Sequence, residues 1–153
     1  MSMESLIKKL QNIMRGDDLS GTVQYLKQMI WMIFLKIYDA QEEKWELLED
    51  DYTSIIPEEL KWRNWAVDNN DGKALTGDEL IKFVNDTLIM GLKKLAVNEY
   101  TPKRHLIVWQ MFQDASNFMK NGTKLRQMIN ELNEKDFTNS TETHEFGDMY
   151  ESM

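Results

Sequence analysis

The chain has 153 residues, of which 42% are apolar and 29% charged, and a formal net charge of −8. This is the composition of a folded domain with a real core, and it excludes both a disordered chain and a default basic nucleic-acid binder. Cysteine is absent, which excludes disulfide and thiolate chemistry and is compatible with an intracellular location. Two prolines and seven glycines are few breakers for this length, so long helices are expected rather than many short strands.

The first fourteen residues lack the continuous apolar core of a targeting segment. "SLIKKLQNIMRG" instead sets Leu6, Ile7, Leu10, Ile13 and Met14 at helical spacing, with Gly16 as the stop. "DDLSG" reads as a turn. A long helix is expected from about Thr22 to Glu49. Its first half is apolar almost all round (Val23, Leu26, Met29, Ile30, Ile33, Phe34, Ile37), the pattern of a helix wrapped by neighbours. The run "MIWMIFL" is far short of a membrane span and is expected to pack inside the domain. The second half turns acidic. Residues 42–51 are expected to be solvated, with Trp45 and Leu48 on the remaining apolar side.

Pro57 is placed to open a short helix, and Trp62 and Trp65, three apart, are expected to share a buried face. Thr76 and Glu79 have capping-box spacing. Behind them Leu80, Ile81, Val84, Leu88, Leu92 and Leu95 continue at helical intervals. "TPKR" is expected to start another helix, with Thr101 as N-cap and Pro102 in the first position. Its apolar residues run from Leu106 to Met119, until "NGT" (Asn121, Gly122, Thr123) breaks it. A shorter helix then carries Leu125, Met128, Ile129 and Leu132. The last segment is expected to be a polar loop with a short helix around Phe146, Met149 and Tyr150. No convincing strand is present. The expected fold is all-α: one compact helical bundle, residues 1–153, around a buried central helix.

"DNNDGKALTGDEL" resembles a calcium loop in composition only. With Gly72 in the sixth position, the first ligand position falls on Val67 and the twelfth on Asp78, one residue from Glu79. Valine cannot ligate calcium, so a polar turn into a helix is the expected reading. His105 and His144 lie on separate segments with no metal-ligand partner at close spacing. No G-x-G-x-x-G loop, no G-K-[ST] phosphate loop and no nucleophile elbow occurs. Taken alone, the chain does not read as an enzyme.

Charge is unevenly distributed. Residues 38–60 carry nine acidic side chains and one lysine, whereas residues 101–126 carry five basic side chains against Asp114. Within the basic stretch, Asn121-Gly122-Thr123 marks a helix start. Its free N–H groups, with Lys120, Lys124 and Arg126 nearby, form the candidate phosphate-contacting site.

The segments "ESLIKKLQNIMRGDD", "QYLKQMIWMIFLKIYDAQEEKWE", "DDYTSIIPEELKWRNWA", "GKALTGDELIKFVNDTL", "TPKRHLIVWQMFQDASNFMKNGTKLRQMIN" and "HEFGDMYE" together resemble, in order and over essentially the whole chain, the N-terminal helical domain of the modification (M) subunit of type I restriction–modification systems. The resemblance implies a cytoplasmic protein whose full-length parent transfers a methyl group from S-adenosylmethionine to adenine N6 in DNA. It implies as partners a specificity subunit, a second modification subunit, a restriction subunit and double-stranded DNA, with no membrane. The family's catalytic domain carries a Gly-rich cofactor motif and an N-P-P-[FY] motif. Neither is present here, since the two prolines, Pro57 and Pro102, stand far apart. No catalytic, cofactor or metal residue is therefore carried over. What the resemblance implies for this chain is an assembly and DNA-clamping domain. The alternative is a free-standing helical adaptor or decoy that binds the specificity subunit without catalysis, and whether the reading frame runs past Met153 separates the two.

Overall fold

The computed structural model describes residues 2–68, 72 and 74–137, and among these there is no strand. The short helix expected near Phe146, Met149 and Tyr150 lies outside the described residues, as do His144 and part of the calcium-like stretch. Helix α1 (Met3–Arg15) is capped by the Ser2 hydroxyl, which accepts from the Ser5 N–H at 3.1 Å. It buries Met3, Leu6, Leu10 and Met14 on one face, the spacing expected of it. Helix α2 (Thr22–Leu48) is 27 residues long and packs against α1. Trp31, Met32, Ile33 and Leu35 are essentially inaccessible, so the "MIWMIFL" run packs inside the domain. Val23 departs from expectation: it lies in the first turn of α2, ahead of the wrapped stretch, and is 64% exposed. No helix among the described residues is long and apolar enough to cross a membrane.

After α2, Pro57 precedes a 3-10 turn (Glu58–Leu60) and the four-residue α3 (Trp62–Trp65). The Trp62 and Trp65 rings meet edge to face at 5.2 Å, and both are core residues. Next comes a continuous helical rod of three pieces: α4 (Gly77–Lys82), a π-helical segment (Phe83–Leu88) and α5 (Ile89–Lys93). In the π segment the Ile89 N–H donates to the Val84 carbonyl, five residues back. Leu80, Val84, Leu88 and Leu92 are all fully buried along the rod. Thr76 stands at the cap of α4, but its hydroxyl makes no cap bond. The capping box does not form because the chain enters through Gly77 at φ +60°, which changes the direction of the first turn.

Helix α6 (Lys103–Gln113) begins one residue later than expected. Pro102 is the extended cap residue, and the Thr101 hydroxyl accepts from the Asn98 N–H in a turn of its own. The helix also ends early. Residues 114–121 leave α6 although Ala115, Phe118 and Met119 continue its apolar spacing. The buried Gln28 of α2 is the reason. Its Oε1 accepts from the Phe118 N–H at 2.6 Å and its Nε2 donates to Asn117 Oδ1 at 3.0 Å. A helical backbone would direct that N–H back along its own axis. Helix α7 (Gly122–Glu134) closes the fold, packing between α1 and α4 and against α2.

Candidate nucleic-acid interface

The expected phosphate site lies where residues 114–121 enter α7. The structure fills it from within. One carboxylate oxygen of Asp17, from the turn after α1, accepts the N–H groups of Lys120 at 2.6 Å and Asn121 at 2.8 Å. The Asn121 side chain, the N-cap of α7, accepts the Lys124 N–H at 3.0 Å. A carboxylate at the positive end of a helix is stabilising for the same reason a bound phosphate would be. Of the Asn121-Gly122-Thr123 stretch expected to offer free N–H groups, the Asn121 N–H is taken, and so are those of the flanking Lys120 and Lys124. The entry is tight as well, because Gly122 lies against Gly77. A Cβ added to Gly122 would meet the Gly77 carbonyl oxygen at 1.8 Å.

The three basic side chains have different fates. Lys120 is exposed. Lys124 is half-buried, and its ammonium passes over the end of α1, where a Cβ on Gly16 would stand 3.2 Å from Nζ. That is the negative end of the α1 dipole. Arg126, the third side chain of the candidate site, is buried at 9% exposure. Its Nε donates to the Leu75 carbonyl at 2.8 Å and its Nη1 to the Ala66 carbonyl at 2.7 Å. The guanidinium is held inside, tying α7 to the chain around α3 and α4. Asn133 of α7 adds to the same joint, accepting from Trp62 Nε1 at 2.8 Å and donating to the Ala66 carbonyl.

A second polar assembly, absent from the expected site, runs along the acidic half of α2. Glu42 is fully buried and accepts from the Tyr52 hydroxyl at 2.6 Å. Asp39 and Glu46 both accept from Arg63 at 2.9 Å, and Lys61 lies between Glu58 and Glu46. Burial raises the Asp39 carboxyl above its ordinary range against the opposing pull of Arg63. Farther along, Arg104 grips Glu49 with two nitrogens, at 2.6 and 2.8 Å. Its guanidinium also lies 4.8 Å from the Trp45 ring and 5.1 Å from the Tyr52 ring. Residues 42–51 are thus not a uniformly solvated arm, as expected from the acidic run. One face is pinned by cations from α3 and α6, which are distant in sequence. His105, next to Arg104, packs edge-on against Tyr52, and burial lowers its pKa. Leu48 also departs from expectation, since it faces solvent and only Trp45 is held on the inner side.

Among the described residues no group of His, Cys, Asp or Glu side chains is placed to hold a metal ion. Nor do they carry a strand with a glycine-bearing turn of the kind that seats S-adenosylmethionine in a Rossmann-like domain.

Comparison with known proteins agrees along the length of the chain. Residues 3–132 match the family described as the HsdM N-terminal domain. The type I restriction enzyme EcoEI methylase subunit of Escherichia coli is 51% identical over 154 residues, a match that takes in 100% of this chain and 31% of that protein. A modification subunit of a type I restriction enzyme from Vibrio vulnificus superposes with a TM-score of 0.80 at 29% identity, over 98% of this chain and 34% of that one. A further solved chain, from work on complex assembly and conformational transition of the type I R-M system, gives 0.76 at 30% identity, over 98% of this chain and 29% of that one. The chain thus spans about a third of the length of the relatives it matches. It belongs to the HsdM N-terminal domain family of type I restriction–modification modification subunits.

Proposed function

We propose that this chain serves as the assembly and DNA-clamping domain of a modification subunit, with methyl transfer from S-adenosylmethionine to adenine N6 carried by a separate catalytic domain of the same polypeptide. The supporting observation is the family match over residues 3–132, joined to a whole-chain fold likeness to modification subunits, one of them from work on complex assembly. The proposed partners are a specificity subunit, a second modification subunit, a restriction subunit and double-stranded DNA. Lys120 and Lys124 are the proposed phosphate contacts, whereas Arg126 acts on the fold.

The test uses the full-length modification subunit assembled with its specificity subunit, with and without residues 1–137. The truncated subunit is expected to retain S-adenosylmethionine binding while losing stable assembly on DNA. Equal DNA affinity, salt dependence and methylation in the two forms would overturn the reading. In the intact complex, Lys120→Glu with Lys124→Glu is expected to weaken DNA binding and to reduce the slope against salt by about 1 to 2. Arg126→Met should leave that slope unchanged.

A further inference from the structure

Helices α1 and α7 lie side by side and run in opposite directions. Lys9 Nζ stands 3.7 Å from Glu131, and Lys124 passes over Gly16 at the other end of α1. Lys8 and Arg15 are two turns apart on α1 and share one exposed face, with Asn12 between them. Two turns of helix rise about 10 Å, which is about three nucleotide steps along a DNA strand. On α7 the neighbouring exposed positions are Thr123 and Gln127, with Lys120 just ahead of the helix.

The charge of this face is opposite to that of the chain. Lys8, Lys9, Arg15, Lys120 and Lys124 stand there against Glu131, on a protein of net charge −8. Glu131 is engaged by Lys9, and Asp17 is taken up by the Lys120 and Asn121 N–H groups. Among the described residues Lys8, Arg15 and Lys120 make no ion pair. Asp18 bounds the face at one end, and Glu4 and Glu134 bound it at the other.

The face also lacks what a protein partner would bury. Among the described residues, no large apolar side chain that the fold leaves exposed belongs to α1 or α7. The core of a protein–protein interface is apolar and poor in charge, and a neighbouring domain of the same polypeptide makes the same demand. A nucleic-acid interface is polar and basic, with lysine, arginine and amide side chains on phosphate and sugar oxygens.

We infer that the outer face of the α1–α7 pair is a track for the phosphate backbone of double-stranded DNA, with Lys8 and Arg15 contacting phosphates beside Lys120 and Lys124. This rests on the DNA-clamping reading above and carries its contact onto a second helix. Asn12 and Gln127 supply hydrogen-bond donors between the cations. The contact is to backbone, so it acts alike on any sequence.

The test uses the full-length modification subunit assembled with its specificity subunit, and duplexes with and without the target site over a range of salt. Lys8→Gln with Arg15→Gln is expected to weaken binding to both duplexes alike and to reduce the slope against salt by about 2. Subunit assembly and melting temperature should stay near wild type. Lys94→Gln with Lys103→Gln removes the same charge from the end of α5 and the start of α6 and is expected to leave the slope unchanged. Wild-type slope and affinity in the α1 variant, where Lys120→Glu with Lys124→Glu lowers both, overturn the track and leave the clamping reading standing. An equal drop in the α5–α6 control overturns it too, because net charge and not this face then governs binding. So does weaker subunit assembly in the α1 variant with an unchanged slope, because a protein then covers the face. If removal of residues 1–137 alters DNA binding in no respect, the clamping reading fails first and this inference falls with it.

Discussion

The start of α7 and the end of α2 both concentrate charge, and they use it in opposite ways. At the start of α7 a single anion, Asp17, enters from a turn more than a hundred residues away and satisfies two backbone N–H groups. The basic side chains nearby then divide, Lys120 outward and Arg126 inward. At the end of α2 the anions lie on that helix or at its cap, and Lys61 and Arg63 come to them from α3 and its cap, Arg104 from α6. The first joint is closed by backbone fit, with Gly122 on Gly77. The second is closed by long side chains over a partly wet surface. A close backbone contact tolerates no added atom, whereas a side-chain network in reach of water yields by degrees.

That difference sets the expected order of damage. Gly122→Ala should be the most severe, because its Cβ would have to share space with the Gly77 carbonyl; a loss of about 3 kcal/mol or more is expected from the urea midpoint. Gly16→Ala is the control, since the nearest atom there is the flexible end of Lys124, and it should cost far less. Arg126→Met removes the donor to the Leu75 carbonyl and one of the donors to the Ala66 carbonyl, for a loss of about 2 kcal/mol in the same assay. Asp17→Ala withdraws the carboxylate from α7 and should cost about 1 kcal/mol, visible as faster hydrogen exchange at the Lys120 and Asn121 amides.

Predictions at the α2 end are smaller. His105 has its pKa lowered in the fold by burial and by the neighbouring Arg104 charge. The unfolded chain therefore takes up the proton first. Stability contributed by neutral His105 is full above its ordinary value of 6.5 and is lost as pH falls from there towards the lowered folded value. Melting temperatures between pH 7.5 and 5 should show part of the acid loss disappearing in His105→Gln. Arg104→Ala should give the smallest shift in melting temperature, because the Arg104–Glu49 pair is solvent-accessible on both sides. If Arg104→Ala proved as damaging as Gly122→Ala, the contrast between the two ends would collapse.

The helices were legible in the sequence where apolar spacing and burial share a cause. Leu6, Leu10 and Met14 mark α1, and Leu125, Met128, Ile129 and Leu132 mark α7, because a helix with one neighbour-facing stripe must repeat that way. Residues 114–121 defeated the same reasoning. Ala115 and Met119 are buried at helical spacing, yet the backbone between them answers to Gln28 rather than to itself. A lone glutamine beside "MIWMIFL" was the available sign, since a buried amide must find partners somewhere. The candidate site was legible only as a location. "KNGTKLR" marks a helix start with cations, but nothing local reveals that Asp17 arrives to fill it, or that Arg126 turns inward to carbonyls near residues 66 and 75. Both depend on contacts between segments far apart in sequence.

The π segment has a consequence for how this rod tolerates changes in length. Leu80, Val84, Leu88 and Leu92 recur every four residues, and each such step in a regular α-helix overshoots a full turn by about 40°, since a residue advances about 100°. Over three steps the stripe would rotate by about 120° and carry Leu92 off the core. All four remain buried because the wider turn at Phe83–Leu88 resets the phase. The segment therefore behaves as one surplus residue held in register. Deleting one residue there would turn the segment into regular α-helix and leave everything beyond it, Ile89 and the packing of α5 on α6 included, at nearly its present angle.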